Sequence, residues 1–312
     1  MPKPLVYVDT DIGLGTPGAE IDDAAALMML MTHPGLEVLG AGSVFGNVPC
    51  RDALVNLSRM RSFFARQDIP LGHGTDLPLI EGVDWFSEWQ SRYQPTLPFE
   101  VPESIPSSAQ LMIDLVKANP HEVTLLSIGP MTNLALAARL DPDFIPLVKN
   151  VVAMGGSFGS TEDNPEFNVR CDPEAVQMVF NTGWDLNLFG INITGQVKYP
   201  RAEFAALKGT HPTTRLLKEM APGWIDRMEE MGWEQGGCAL HDAVAVAFLL
   251  DPSLFQFKKI GVRVELHDRS KRGVIHFDDT DRQLPQAGVA TVVDVKGCHD
   301  LVWSLIQKCE GE

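Results

Sequence analysis

The chain has 312 residues, 45% hydrophobic and 21% charged, the balance of an ordinary globular protein able to bury a sizeable core. Its formal charge is −16, from 25 basic and 41 acidic residues, so a polyanionic partner such as nucleic acid would be repelled over most of the surface. Five scattered cysteines (Cys50, Cys171, Cys238, Cys298, Cys309) with no CxxC pair argue against a disulfide framework and a zinc ribbon, and fit a reducing compartment.

No apolar run reaches the ~18–20 residues of a membrane span. The N-terminal MPKPLVYVD enters a strand at once, which leaves no room for a signal peptide, so the expected location is cytoplasmic. LVYVD (5–9) predicts a strand and 22–31 a buried helix; 36–44 predicts a second strand and 50–64 a second helix. Strands follow at 123–129, 150–156 and 185–191, with a helix near 132–139 between the first two. The C-terminal part adds strand-like runs at 259–266, 272–277 and 289–295 and a helix near 298–308. Strands separated by helices predict an α/β fold: a mostly parallel, Rossmann-like sheet flanked by helices, in one large domain spanning 1–312. The least regular stretches are 80–106 and 209–237, and loops of that length are often lids.

In such sheets a ligand sits beyond the carboxyl ends of the strands. The first strand ends in Asp9 and Asp11, and the first helix begins with Asp22 and Asp23. Gly13, Gly15 and Gly18 between them spell G-x-G-x-x-G, the dinucleotide-binding pattern. A pyrophosphate there would meet four carboxylates, Pro17 removes a backbone donor, and Glu37 opens the second strand rather than closing it. The glycines therefore serve a tight turn. Helix capping explains one acid of the second pair but not all four, and the set is mutually repulsive without a cation. Hard oxygen donors suit Ca²⁺ or Mg²⁺, with Ca²⁺ the more tolerant of irregular geometry. Far along the chain, His241 and Asp242 head another apolar helix. His241 alone reads as a core histidine, and the adjacent acid makes a functional reading equally good.

Several motifs in order carry a resemblance: DTD…G…IDDAAAL, SVFGN, SIGPMTNLALA, VVAMGGS, EFNVRCDPEA and LHDAVAVA. Together they resemble the nucleoside hydrolases of the inosine–uridine-preferring type, from Leu5 to the last helix. The resemblance implies hydrolysis of a ribonucleoside to ribose and free base, with Ca²⁺ held by Asp11, Asp23, Asp242 and the backbone carbonyl of Thr132. It implies Asp22 as general base over a metal-bound water, Asn47 near that water and the ribose, and Met154, Glu166 and Asn168 around the sugar. His241 would face the leaving base as its acid, and Asp9 would orient the ligands. It further implies a small-molecule nucleoside partner and a homo-oligomer, dimer or tetramer. Read without it, Asn47 is a helix cap and Met154 core filler; Asp172, before Pro173-Glu174, is an N-cap on either reading.

The chain departs from the family pattern in three places. The linker between Asp11 and Asp22 is longer by LGTPGAE. Where the family has a His-Gly…Gly motif, residues 83–93 carry Trp85, Phe86, Trp89 and Tyr93, which either stack on a base or pack a lid closed. The asparagine expected before EFN has only Asn164 as its counterpart. Trp224 and Trp233, just before the His241 helix, are the better candidates for touching the leaving group. Alternatives with the same residues are hydrolysis of a different N-riboside, a ribose-binding protein without turnover, and an aspartyl-phosphate phosphatase. The last lacks a well-placed lysine and a second acidic pair.

Overall fold

The structure, a computed structural model, describes residues 3–16, 18–80, 104–158 and 164–311. The aromatic stretch 83–93 lies outside the described residues. Strand β1 (Leu5–Thr10) is followed by α1 (Asp22–Thr32), β2 (Glu37–Ser43), α2 (Cys50–Phe63) and the short β3 (Leu71–Gly72). Next come α3 (Ser108–Ala118), β4 (Val123–Ser127), α4 (Thr132–Leu140), β5 (Asn150–Met154), α5 (Phe167–Cys171) and α6 (Pro173–Phe180). Then follow β6 (Leu186–Phe189), α7 (Ile191–Thr194), β7 (Lys198–Pro200), α8 (Arg201–Ala206), α9 (Pro212–Glu230), β8 (Gly237–Ala239) and α10 (His241–Leu250). The chain ends with β9 (Phe255–Val264), β10 (Ile275–Asp278), β11 (Gln286–Val293) and α11 (Val295–Lys308).

Nine strands form one sheet in the order β10-β9-β11-β6-β5-β4-β1-β2-β3, and β7 and β8 pair separately. The strands from β6 to β3 run parallel, and β11 joins β6 in parallel. Strand β9 is antiparallel to both β10 and β11, so the C-terminal runs form an antiparallel extension of the parallel sheet. The chain moves outward from β1 through β2 to β3, then returns to the other side of β1 with β4. That reversal between β1 and β4 opens a crevice at their carboxyl ends. Register brings Asp9 level with Gly42 of β2 and Ser127 of β4, and Met154 level with Phe189.

Helix α1 is buried from Asp22 through Met31, and its run Ala24-Ala25-Ala26 presents small side chains. Helix α10 likewise buries Asp242 through Ala247, alternating alanine with valine. An apolar surface all round suits a helix with no solvent face, and α1 packs against both α10 and α11. The alanines permit a close approach, so the two helices lie together with acids at both N-termini.

One expectation is overturned. Most of 209–237 is not an irregular lid but the helix α9, Pro212–Glu230. His211 caps it by accepting the Thr213 N–H, and Pro212 occupies the first helical position, where its missing N–H costs nothing. Pro222 and Gly223 in its middle disguise it in the sequence, while burial of Leu217, Ala221, Ile225 and Met228 along one face holds it together. Helix α3, capped by Ser107 through the Gln110 N–H, is a further element absent from the sequence reading.

Candidate active site

The crevice is lined by acids. Asp9, at the end of β1, is fully buried and accepts hydrogen bonds from Ser108 Oγ (2.9 Å) and Asn133 Nδ2 (3.0 and 3.1 Å). Asn133 also donates to the Ser43 carbonyl at 2.8 Å, linking the ends of β1 and β2 through α4. Burial pushes the Asp9 carboxyl from its ordinary 3.8 up to about 7, against those two donors. The resemblance gives Asp9 the role of orienting the ligands; its hydrogen-bond partners here are Ser108 and Asn133.

Asp11 accepts the Asn47 backbone N–H at 2.7 Å on Oδ2, while its buried Oδ1 has no hydrogen-bond partner among the described residues. The loops after β2 and β4 press on this carboxylate: a Cβ on Gly46 would overlap Oδ2, and one on Gly129 would lie 2.8 Å from Oδ1. Only glycine permits both approaches. Asp23 accepts from the Thr10 hydroxyl on Oδ1, and its buried Oδ2 is likewise unpartnered. Burial raises the pKa of Asp11, Asp22, Asp23 and Asp242, and the negative charges of neighbouring acids raise each further. For Asp242 those neighbours are Asp22, Asp23, Glu20 and Asp11, so acids more than two hundred positions apart share one electrostatic site.

Glu20 was not anticipated. It is 3% exposed; its Oε1 accepts the Gly13 N–H at 2.5 Å and its Oε2 the Asp23 N–H at 3.3 Å. Burial pushes it to about 8 and its hydrogen bond to Asp22 raises that acid in turn. Glu20, Asp22 and Asp23 form the most closely spaced acid trio of the site, with one oxygen of each within 4.8 Å of the others. The longer linker brings Glu20 there, and an acid just ahead of the Asp22-Asp23 pair was the available signal. The linker is pinned by Asn56 Nδ2 on the Ile12 carbonyl (3.1 Å) and, from α9, by Arg227 on the Gly18 carbonyl (3.0 Å). Gly15 and Gly18 have φ of +99° and +78°, so these glycines do serve a turn.

His241 heads α10 with its Nδ1 2.6 Å from Thr194 Oγ1 and its Nε2 3.6 Å from Glu234 Oε1. Glu234 is itself anchored by the Ala239 N–H at 2.8 Å. Burial disfavours the charged ring, but Glu234, Asp22 and Glu166 outweigh it and raise the pKa above its ordinary 6.5. The His241 side chain keeps 25% of its surface exposed. Thr194 and Glu234 had no recognisable signal, because each meets His241 only through the tertiary fold.

The remaining candidates divide. Glu166 places both oxygens on backbone N–H groups, those of Gly156 (3.0 Å), Asn168 (2.9 Å) and Val169 (3.1 Å), and so caps α5. Asn168 donates to the carbonyls of Ile128 (3.2 Å) and Met154 (3.4 Å), tying α5 to the ends of β4 and β5. Met154 is 4% exposed at the end of β5. Thr132 is buried at the start of α4 with its hydroxyl committed to Asp172 Oδ2 (2.8 Å). Asp172 is the expected N-cap, accepting the Ala175 N–H at 3.1 Å. Asn47 does not cap α2, whose N-cap is Pro49; it is half-buried beside Asp11. Asn164 is exposed, and among the described residues no hydrogen bond ties it to the site. Trp224 packs partly against the core on α9, and Trp233 is 63% exposed, next to Glu234. No helix among the described residues is long and apolar enough to cross a membrane.

Known proteins resemble this chain over nearly its whole length. The profile of the family described as inosine-uridine preferring nucleoside hydrolase matches residues 6–300. The chain is 32% identical to uridine nucleosidase 1 of Arabidopsis thaliana over 97% of its own length and 93% of that protein. It is 29% identical to the inosine-uridine preferring nucleoside hydrolase of Crithidia fasciculata over 98% and 96%. A solved plant nucleoside hydrolase superposes with a TM-score of 0.83 at 28% identity, covering 99% of both chains.

Proposed function

This chain belongs to the inosine-uridine preferring nucleoside hydrolase family and is a ribonucleoside hydrolase, and from that premise we propose that it works with one Ca²⁺ ion in the acid cluster. The observation that carries the proposal is the pair of orphaned buried oxygens, Asp11 Oδ1 and Asp23 Oδ2, beside Asp242. Buried carboxylate oxygens without donors, raised in pKa by burial and by neighbouring acids, fit a hard cation and leave a softer one no nitrogen or sulfur to prefer. Asp11, Asp23 and Asp242 would hold the ion, with the Thr132 carbonyl. When bound, the ion would anchor the ribose hydroxyls and lower the pKa of the attacking water.

Asp22, next to Asp23, takes the proton of that water as it attacks the anomeric carbon. The C–N bond breaks with its electron pair going to the base nitrogen, and His241 supplies that nitrogen with a proton. Positive charge on the ribose ring in the transition state is stabilised by the surrounding carboxylates, already fixed in place by Thr10, Asn47 and Glu20. Thr194 fixes the imidazole, and Glu234 favours its charged form. Asn47, Met154 and Asn168 would line the sugar, with Glu166 shaping that wall from behind. The substrates to try first are uridine and inosine, named in the relatives' descriptions.

The test is release of reducing sugar from uridine and inosine by the chelator-treated enzyme. Activity should vanish with chelator and return with Ca²⁺. Undiminished activity in excess chelator would refute the metal-dependent reading.

A further inference from the structure

A second cluster of ligand-type side chains stands apart from the acids, at the edge of the sheet where β2 and β3 end. Cys50 is the first residue of α2 and is fully buried; His73 and Asp76 lie on the loop that leaves β3. One ligand atom from each lies within 4.8 Å of the others. We propose that Cys50, His73 and Asp76 form a binding site for a borderline-soft divalent ion, Zn²⁺, separate from the hard-ion site of the acid cluster.

Four observations carry this. The donor set is sulfur, nitrogen and oxygen, the mixture zinc selects, whereas the acid cluster is all oxygen. His73 Nε2 is buried and has no hydrogen-bond partner among the described residues, which leaves a lone pair or a proton unsatisfied. The histidine backbone is also held in place: its main-chain N–H donates to the Pro106 carbonyl at 2.9 Å, and its carbonyl accepts the Ser108 N–H at 2.9 Å. A cavity of about 470 Å³ is lined by His73 and Asp76 together with Ser108 and Asn133, and would supply the fourth ligand from solvent or a small molecule. Three protein ligands with one open position is a known zinc arrangement.

Zinc–ligand bonds of about 2.0–2.3 Å put tetrahedral ligand atoms about 3.3–3.7 Å apart, so the trio, with atoms within 4.8 Å of one another, must close by up to about 1.5 Å. Asp76 is exposed and free to make that movement. Burial pushes the Cys50 thiol up to about 12, so zinc binding replaces the thiol proton by the ion and releases it to solvent. Cys50 Sγ also lies 3.3 Å from Ser43 Oγ, and the Ser43 carbonyl receives Asn133, which holds Asp9. An ion here would brace the N-terminus of α2 and the β3 exit against the back of the active site. The sequence offers no CxxC or HxxxH spacing for this site, because its members come from two separate elements.

The experiment is a titration of the full-length, chelator-treated protein with Co²⁺, in the presence of excess Ca²⁺ to fill the acid cluster. A sulfur-to-cobalt charge-transfer band in the near ultraviolet should grow to one equivalent, with release of a proton, and should be displaced by Zn²⁺. Cys50→Ser should abolish the band. His73→Gln and Asp76→Asn should each weaken cobalt binding by at least about tenfold. Absence of a sulfur band at saturating cobalt, or its survival in Cys50→Ser, would overturn the site. If Cys50→Ser does not fold, Asp76→Asn at its exposed position decides, and unchanged cobalt affinity there overturns the proposal.

Discussion

Stripping the cation should make the folded protein lose stability as pH rises, the reverse of ordinary acid denaturation. Asp9 shows the magnitude. Burial takes its carboxyl from 3.8 to about 7, so between those values the folded chain holds a proton that the unfolded chain has released. Stability therefore falls with rising pH: the contribution is complete below about pH 4 and gone above about pH 7. A gap of about three pH units at 1.36 kcal/mol each is about 4 kcal/mol from Asp9 alone, a large part of the ~5–15 kcal/mol that holds a domain folded. Glu20, raised from 4.5 to about 8, acts in the same sense and extends the window upward. Urea unfolding at pH 5 and pH 8 in excess chelator measures it. The midpoint should be clearly lower at pH 8, Ca²⁺ should raise it more at pH 8 than at pH 5, and Asp9→Asn should flatten the slope between pH 4 and 7. Equal midpoints at both pH values in chelator, with an equal calcium shift at both, would refute the electrostatic account of the site.

Asp22→Asn should lower kcat by about 10²–10⁴-fold while ribose still binds, since only the proton acceptor is lost; an unimpaired variant would remove Asp22 as base. His241→Ala should slow uridine and inosine far more than a riboside with a good leaving group such as 4-nitrophenolate, and equal slowing of all three would remove His241 as acid. Asp172→Ala removes a helix cap and the acceptor for Thr132 Oγ1 and the Leu79 N–H. At about 1 kcal/mol for each bond, it should cost about 3 kcal/mol by urea unfolding; a loss below about 1 kcal/mol would show that the three bonds are replaced by water.

What could be read from the chain was what neighbouring residues encode. Alternation of apolar runs and helical patterns located β1, α1, β2, α2, β4, α4, β5 and β6, because each such element buries a face that its own residues display. Pro173 after Asp172 announced a cap, and the charge carried by Asp9, Asp11, Asp22 and Asp23 argued against a nucleotide despite three well-spaced glycines. Helix α9 was missed because Pro222 and Gly223 depress local propensity, while burial against the core decides the outcome.

By itself, then, the sequence determined the α/β class, the family and the acids at the ends of β1 and the head of α1. The family resemblance already grouped Asp242 with them, but only the tertiary structure shows how it gets there, since the alanine faces of α1 and α10 must pack before two distant helix starts become neighbours. The same holds for Glu20 folding back on the Asp23 N–H, for Thr194 and Glu234 on either side of His241, and for Cys50 beside His73. A contact across the fold depends on how whole elements pack, and no local periodicity carries that information.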